Sequence, residues 1–371
     1  MTKIDKLIEQ RGQKVMRILH ISSAVTWRGG ENQILLLING LLGITQNFLL
    51  CPSMSPLINK VDASQTSIFT FNKKFGISIS ASRLIKKICS KHKIDIIHVH
   101  DSHAHTFAFG SSLIGNHTPI VLTRRVDFKP SYIGLFKYNS PSIKKIVCVS
   151  NKIEHILKTR VFNKKRLTTI YSGINLSKNG SAKNLREALS LDKNKVIGFI
   201  GAFVDHKDPI SFVHMAQLII KDHSDYHFIM VGQEGDQSTK VEEEIRKNSL
   251  NKFISIIGFT HNMDEIWNTL DALVITSKME GLGSVALEAF YHEVPLISTN
   301  AGGLEEIVKH EMNGLVSEIG NVKMMKQLVE YLFDKNQTKD KLVVNAKEYV
   351  QMFSHHHMAK SYLKIYQEVL N

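Results

Sequence analysis

The chain has 371 residues, with 47 Lys/Arg against 34 Asp/Glu and a net charge of +13. That length exceeds one ordinary core and predicts two domains of under about 200 residues each, while a hydrophobic fraction of 43% fits a soluble globular protein. Three cysteines, Cys51, Cys89 and Cys148, form no CxxC pair, which argues against a disulfide framework or a zinc knuckle and fits a reducing compartment.

The first fifteen residues, MTKIDKLIEQRGQKV, are charged and lack the apolar stretch of a signal peptide; they are expected to form an N-terminal extension, 1–15. Short β-branched runs then alternate with helical ones, the pattern of parallel sheets. RILHIS (17–22), QNFLLC (46–51), IDIIHVH (94–100), PIVLT (119–123), KIVCVS (145–150) and LTTIYSG (167–173) read as strands. The longest apolar window, 34–50, is interrupted by Asn39, Gly40, Gln46 and Asn47 and falls short of the roughly 20 residues that cross a bilayer. A polar stretch at 175–184 reads as a linker. The rhythm then restarts with strands at 195–203, 227–233, 253–259, 272–277, 294–300 and 313–319, followed by a last helix from Ser354. The expected fold is therefore α/β, with two doubly wound Rossmann-like domains, 16–180 and 181–350, and a terminal helix, 351–371.

Charge is unevenly spread. Residues 1–180 hold 27 Lys/Arg against 8 Asp/Glu, and residues 181–371 hold 20 against 26. A polyanionic partner is thus expected for the first half only: nucleic acid, anionic lipid or a phosphorylated glycan. No aromatic RNA-binding pattern, recognition helix or zinc finger accompanies the charge, so nucleic acid is not expected as a partner.

Three places could carry chemistry. The first strand is followed by ISSAVTWRGGEN rather than GxGxxG; Gly29 and Gly30 either form a turn or open a helix whose free NH groups hold an anion. His98, His100, Asp101, His103 and His105 invite a metal reading, but four convergent ligands are not evident, and a polar strand end facing a cleft, with His103 near an acceptor, is preferred. The consecutive His355–His357 splay apart on a helix and make no metal site. In EGLGSVALEAF (280–290), a strand-to-helix loop containing Gly281 and Gly283 is flanked by Glu280 and Glu288. Glycines let a backbone approach a phosphate, and ionised carboxylates accept hydrogen bonds from hydroxyls. A ligand with a central phosphate and a polyol at either end fits; so does a plain helix start with acids favouring the dipole.

The run EGLGSVALEAFYHEVPLISTNAGGLEEIV resembles the signature of the family-4 (group 1) retaining glycosyltransferases with the GT-B fold: Glu-x7-Glu, a Pro-containing strand and a Gly-Gly-x-x-Glu turn. RGGEN, DIIHVHDSHAH, CVSNKI, YSGIN, GAFVDHK, IMVGQEGD and IIGF extend the resemblance over nearly the whole chain. It implies two domains facing each other across a cleft, the terminal helix crossing back to the first. It implies a nucleotide diphosphate sugar donor and a glycan or glycolipid acceptor, with lipopolysaccharide or capsule synthesis favoured.

Residue by residue, the resemblance implies that Glu280 meets the donor sugar hydroxyls and that Gly281, Leu282, Gly283 and Ser284 present NH groups to sugar and diphosphate. Glu288 would hold the ribose, Gly258 and Phe259 would lie near the base, and Lys207, a charge with no packing role, would neutralise the leaving diphosphate while Gly29 and Gly30 approach it. No metal and no cofactor are then needed. Two departures stand out: Ala202 replaces the arginine usual in the turn before the lysine, and Arg125, in TRRVDF, replaces a histidine. Arg124 or Arg125 is expected to compensate, with Arg124, Asp127 and His103 on the acceptor side and Arg125 catalytic. A non-hydrolysing sugar-nucleotide epimerase shares the architecture and is the alternative enzyme. The basic first half, without an anchoring segment, implies a cytoplasmic protein held peripherally on the anionic inner face of the cell membrane.

Overall fold

The structure is a computed structural model; it describes residues 15–72, 79–177, 185–191, 195–260 and 262–371. The expected extension, except for Val15, and most of the expected linker lie outside the described residues. The chain divides into two compact units, Met1–Asn175 with Phe353–Asn371, and Leu176–Met352.

In the first unit, strands β1 (Arg17–Ile21), β2 (Gln46–Pro52), β3 (Thr66–Phe71), β4 (Ile96–Val99), β5 (Ile120–Arg124), β6 (Ile143–Cys148) and β7 (Leu167–Thr169) form a parallel sheet in the order β3-β2-β1-β4-β5-β6-β7. Strand β3, TSIFTF, was not expected from the sequence. It is an edge strand with only its end residues buried, so it lacks the continuous apolar run that marks a central parallel strand. The terminal helix, His355–Leu370, belongs to this unit. Its Met358, Ala359, Tyr362, Ile365 and Tyr366 pack with Leu36, Leu37 and Leu41 of helix Gly29–Leu41. Gly40 permits that approach, because a Cβ there would stand 2.6 Å from that of Ala359.

In the second unit, β8 (Lys195–Ile200), β9 (Tyr226–Val231), β10 (Ile254–Ile256), β11 (Ala272–Ile275), β12 (Leu296–Thr299) and β13 (Leu315–Ser317) form a parallel sheet in the order β10-β9-β8-β11-β12-β13. Phe199, Phe212, Tyr226, Phe228, Met230 and Leu332 fill one face of its core.

Both sheets are doubly wound, and in each the direction of winding reverses at one pair of strands: β1 with β4, and β8 with β11. Open α/β sheets hold ligands outside the carboxyl ends of strands at such a reversal. Among the described residues no helix is long and apolar enough to cross a membrane.

Candidate active site

Lys207 follows β8 and Glu280 follows β11, so both stand at the reversal in the second sheet. A short turn, Asp205–Lys207, leads into helix Pro209–Ile220 through Asp208, whose backbone is left-handed at φ 49° and whose carboxylate accepts from the Ser211 hydroxyl at 2.7 Å. The two loops are stitched together. The Thr276 hydroxyl donates to the carbonyls of Lys207 (3.0 Å) and Asp208 (2.8 Å), and the Lys278 amide donates to the His206 carbonyl at 2.9 Å. This framework delivers the Lys207 ammonium to Oε1 of Glu280 as an ion pair. Ser277 Oγ donates to the same oxygen at 3.0 Å, and Oε2 has no hydrogen-bond partner among the described residues. The lysine was expected to have no structural role; it is instead the counter-ion of a buried carboxylate. Its ammonium has three protons and, among the described residues, one acceptor, which leaves donors for an incoming anion.

Helix Ser284–Tyr291 starts at Gly283, which is left-handed at φ 87°. A Cβ there would lie 2.4 Å from Leu304 Cδ2, so conformation and space both demand glycine. Gly303 closes the same loop from outside. Its amide donates to the Glu280 carbonyl at 2.9 Å, and a Cβ on it would stand 2.2 Å from the Gly281 carbonyl oxygen. Leu282 is buried, while Gly281 and Ser284 are partly open. Glu288, one turn into the helix, keeps a solvent-facing part, but protein packed round its carboxyl pushes it up to about 7. No described side chain or amide donates to that carboxyl. Gly258 and Phe259 follow β10 and are exposed; a Cβ at Gly258 would meet nothing, so packing does not require glycine there. Ala202 is half-buried beside the loop that carries Lys207.

In the first unit, Gly29 and Gly30 follow β1 at the reversal and open helix Gly29–Leu41. Glu31 accepts from the Arg28 amide at 2.9 Å. Asp101 follows β4 and accepts from the Ser23 amide (2.6 Å) and hydroxyl (2.5 Å) while capping helix Ser102–Leu113. Arg125 follows β5 and reaches into this group: Nη1 donates to the His100 carbonyl at 3.0 Å, and its Cδ lies 3.9 Å from where a Gly30 Cβ would be.

Arg124 points elsewhere. It donates to the carbonyls of Val126 and Phe128 and to the Tyr138 hydroxyl, and stacks on the Phe128 ring 4.7 Å away. Three of its five N–H donors thus hold its own loop and the neighbouring Tyr138. His103 is exposed and Asp127 half-buried.

The five residues weighed as a metal group do not converge. His98 is not at an open strand end: it is fully buried, with ring nitrogens 2.7 Å from Tyr366 Oη and 2.7 Å from Thr123 Oγ1. A central parallel strand is covered on both faces, and here the terminal helix is the cover. His105 is buried against the Tyr138 ring, and Asp101 is a cap. A different trio, His20, His98 and His100, brings ligating atoms within 4.8 Å of one another. Their nitrogens are taken up by protein hydrogen bonds, and burial depresses the basicity of all three. His20 carries no motif; its role follows only from the β1–β4 register, which sets it opposite His98. Ser277 and Thr276 are likewise visible only once the loops are folded, and so is the contact made by Gly303, whose Gly-Gly-x-x-Glu turn the sequence does show.

Residues 181–349 match the family described as Glycosyl transferases group 1, and residues 27–178 match Glycosyltransferase Family 4. An uncharacterised glycosyltransferase of Methanocaldococcus jannaschii is 32% identical over 316 residues, 80% of this chain and 83% of that protein. The chain belongs to the family-4 (group 1) glycosyltransferases. It is also 25% identical to an Escherichia coli UDP-Gal:alpha-D-GlcNAc-diphosphoundecaprenol alpha-1,3-galactosyltransferase, over 74% of this chain and 76% of that one. Among solved structures, HepE of Anabaena in complex with UDP-glucose superposes with a TM-score of 0.84 at 16% identity, covering 95% of this chain and all of that one. The fold is GT-B, and this glycosyltransferase carries both of its Rossmann-like units.

Proposed function

We propose that this glycosyltransferase moves a hexose-type sugar from a nucleotide diphosphate sugar to a glycan or glycolipid acceptor of the cell surface, with retained anomeric configuration and without a metal. Lipopolysaccharide or capsule is the favoured destination. The observation that carries the reading is the Lys207–Glu280 pair at the reversal of the second sheet, beside the glycine loop 281–284 and the unpartnered Glu288 carboxyl.

Each part has a chemical task. The bond from the anomeric carbon to the diphosphate oxygen breaks, and a bond to an acceptor oxygen forms. The acceptor proton leaves on the departing phosphate. Negative charge grows on the diphosphate, and the Lys207 ammonium with the amides at the start of helix Ser284–Tyr291 stabilises it there. Glu280 Oε2 accepts from sugar hydroxyls, and Glu288 accepts from the ribose. Gly258 and Phe259 flank the base. Arg125 with Gly29 and Gly30 serves an anionic group of donor or acceptor, and His103 and Asp127 stand on the acceptor side; Arg124 is a loop-former.

The relative that works on a diphosphoundecaprenol-linked sugar supports a lipid-linked acceptor. We place the enzyme in the cytoplasm, peripherally on the inner face of the membrane. Incubation with a panel of nucleotide sugars and surface-glycan extracts, read by mass spectrometry, tests the reading. A sugar-mass increment on an acceptor is expected. Conversion of a donor to its epimer without acceptor would replace the transferase by an epimerase.

A further inference from the structure

Asp208, between Lys207 and helix Pro209–Ile220, is strained twice. Its backbone is left-handed, at φ 49° and ψ 54°, a region that a residue with a Cβ seldom enters. Pro209 follows it, and a residue before proline is pushed toward extended backbone. Strain of this kind persists only where the surroundings over-determine the conformation.

Here the surroundings are the residues that follow β11. Three successive carbonyls of the turn are bound by them. That of His206 accepts from the Lys278 amide at 2.9 Å and the Met279 amide at 3.3 Å. Those of Lys207 and Asp208 share the single proton of the Thr276 hydroxyl, at 3.0 and 2.8 Å. These last two carbonyls belong to the peptide planes on either side of the Asp208 Cα, and the angle between those planes is set by its φ and ψ. In extended backbone they would point to opposite sides, beyond the reach of one hydroxyl. The hydroxyl therefore opposes the conformation that Pro209 favours. Thr276 is fully buried, and Thr299 Oγ1, at the end of β12, donates to the carbonyl of the next residue, Ser277, at 2.6 Å, so the donor stands on the sheet. On the far side of Asp208, the helix is anchored in the core by Phe212, Val213 and Met215. A change at Asp208 is thus taken up by Lys207, whose ammonium would leave Glu280.

We propose that Thr276 is a positioning residue for sugar transfer: its hydroxyl holds Asp208 in the left-handed backbone that aims Lys207 at the leaving diphosphate. The inference rests on the transferase reading for what Lys207 does there.

Transfer kinetics with a nucleotide sugar that yields product test it. Thr276→Val keeps the shape and removes the hydroxyl; kcat is expected to fall at least tenfold, with KM for the donor within threefold. Thr276→Ser, which keeps the hydroxyl, is expected to retain kcat within threefold. In the Lys207→Ala background, Thr276→Val should change kcat less than twofold, a coupling that a general loss of packing would not produce. Glycine enters the left-handed region without help and is tolerated at the start of a helix. Asp208→Gly should therefore restore most of the kcat lost in Thr276→Val, although it gives up the contacts to Ser211.

Thr276→Val with wild-type kcat, equal losses in both backgrounds, or no recovery with glycine overturns the proposal. If Thr276→Val does not fold, Thr276→Val with Asp208→Gly decides: it is expected to fold and turn over within threefold of wild type, and failure to fold or a tenfold loss overturns the proposal. If the wild type transfers no sugar from any donor, the transferase reading fails, and calorimetry with UDP, GDP and ADP takes the place of kcat. A loss of affinity in Thr276→Val that vanishes in the Lys207→Ala background then keeps Thr276 as the support of Lys207, and the absence of such a loss overturns it.

Discussion

Glu288 keeps its carboxyl packed in protein at a cost to the folded chain. Its carboxyl titrates near 7 in the folded chain against an ordinary 4.5, so between those values the folded state binds more protons than the unfolded state. Stability from this group is therefore full below about pH 4.5 and lost as pH rises through 7. Glu288→Gln removes that loss. The variant should be more stable than wild type at pH 8, by on the order of 2 kcal/mol once the solvent-facing part is discounted, and no more stable at pH 4. Thermal melts across that range check it, and parallel curves would mean the burial has no such cost. The same substitution should weaken nucleotide binding by roughly 1.5–3 kcal/mol and abolish the fall in affinity expected of the wild type below pH 7.

Lys207 makes the opposite case: its charge neutralises a buried carboxylate, and in the proposed reaction it also stabilises the leaving diphosphate. Lys207→Ala leaves the Glu280 carboxylate buried with only the Ser277 hydroxyl on Oε1. Turnover should fall about 100-fold or more through the lost charge, and stability by roughly 1–3 kcal/mol. Lys207→Ala with Glu280→Gln should recover most of the stability and none of the turnover. Recovery of turnover in that double variant would remove Lys207 from the chemistry.

At the scale of elements, what was legible in the sequence was what repeats or is local. Runs such as VIGFI and ALVI are buried on both faces and read as strands without context, and Gly281 and Gly283 announce a loop where a strand becomes a helix. Strand β3 was not legible, because an edge strand has no continuous apolar run. The pairing of Lys207 with Glu280 was not legible either: it depends on β8 lying beside β11, a crossover that no local pattern encodes. The Gly302–Gly303 turn could be quoted as part of a motif, but its function is spatial. Gly303 has an ordinary φ of −73°, so only the 2.2 Å approach to the Gly281 carbonyl demands glycine. Gly303→Ala should therefore push the 280–283 loop away, costing roughly 1–3 kcal/mol of stability and, because that loop carries Glu280, most of the donor affinity. A variant that binds nucleotide sugar as the wild type does would show that the loop is not set by this contact.

At the scale of the whole molecule, the uneven charge acquires an address in the first unit. Between residues 128 and 166 the chain has ten Lys/Arg and a single acid, Glu154, which is already paired with Lys158. Hydrogen bonds gather the ends of three helices there. Asn139 binds the Arg160 carbonyl and the Phe162 amide, Arg166 donates to the Ser140 carbonyl, and Ser142 reaches Ser112. Phe162, 83% exposed, stands in this region with the exposed Phe136, Leu113, Lys144, Lys164 and Lys165. Exposed aromatics among lysines match an anionic bilayer. At such a surface a lysine contributes on the order of 1 kcal/mol, attenuated beyond a Debye length of about 10 Å at 0.1 M salt, and a phenylalanine that becomes buried about 1.5–3 kcal/mol. Flotation with anionic vesicles at low salt should recover the protein, and recovery should drop steeply as salt rises or when vesicles are zwitterionic. Phe136→Ser with Phe162→Ser should lower the recovery at every salt concentration, whereas Lys164→Glu with Lys165→Glu should lower it chiefly at low salt. The two kinds of variant thereby separate insertion from attraction. Equal recovery on zwitterionic and anionic vesicles would leave the charge asymmetry without a membrane role.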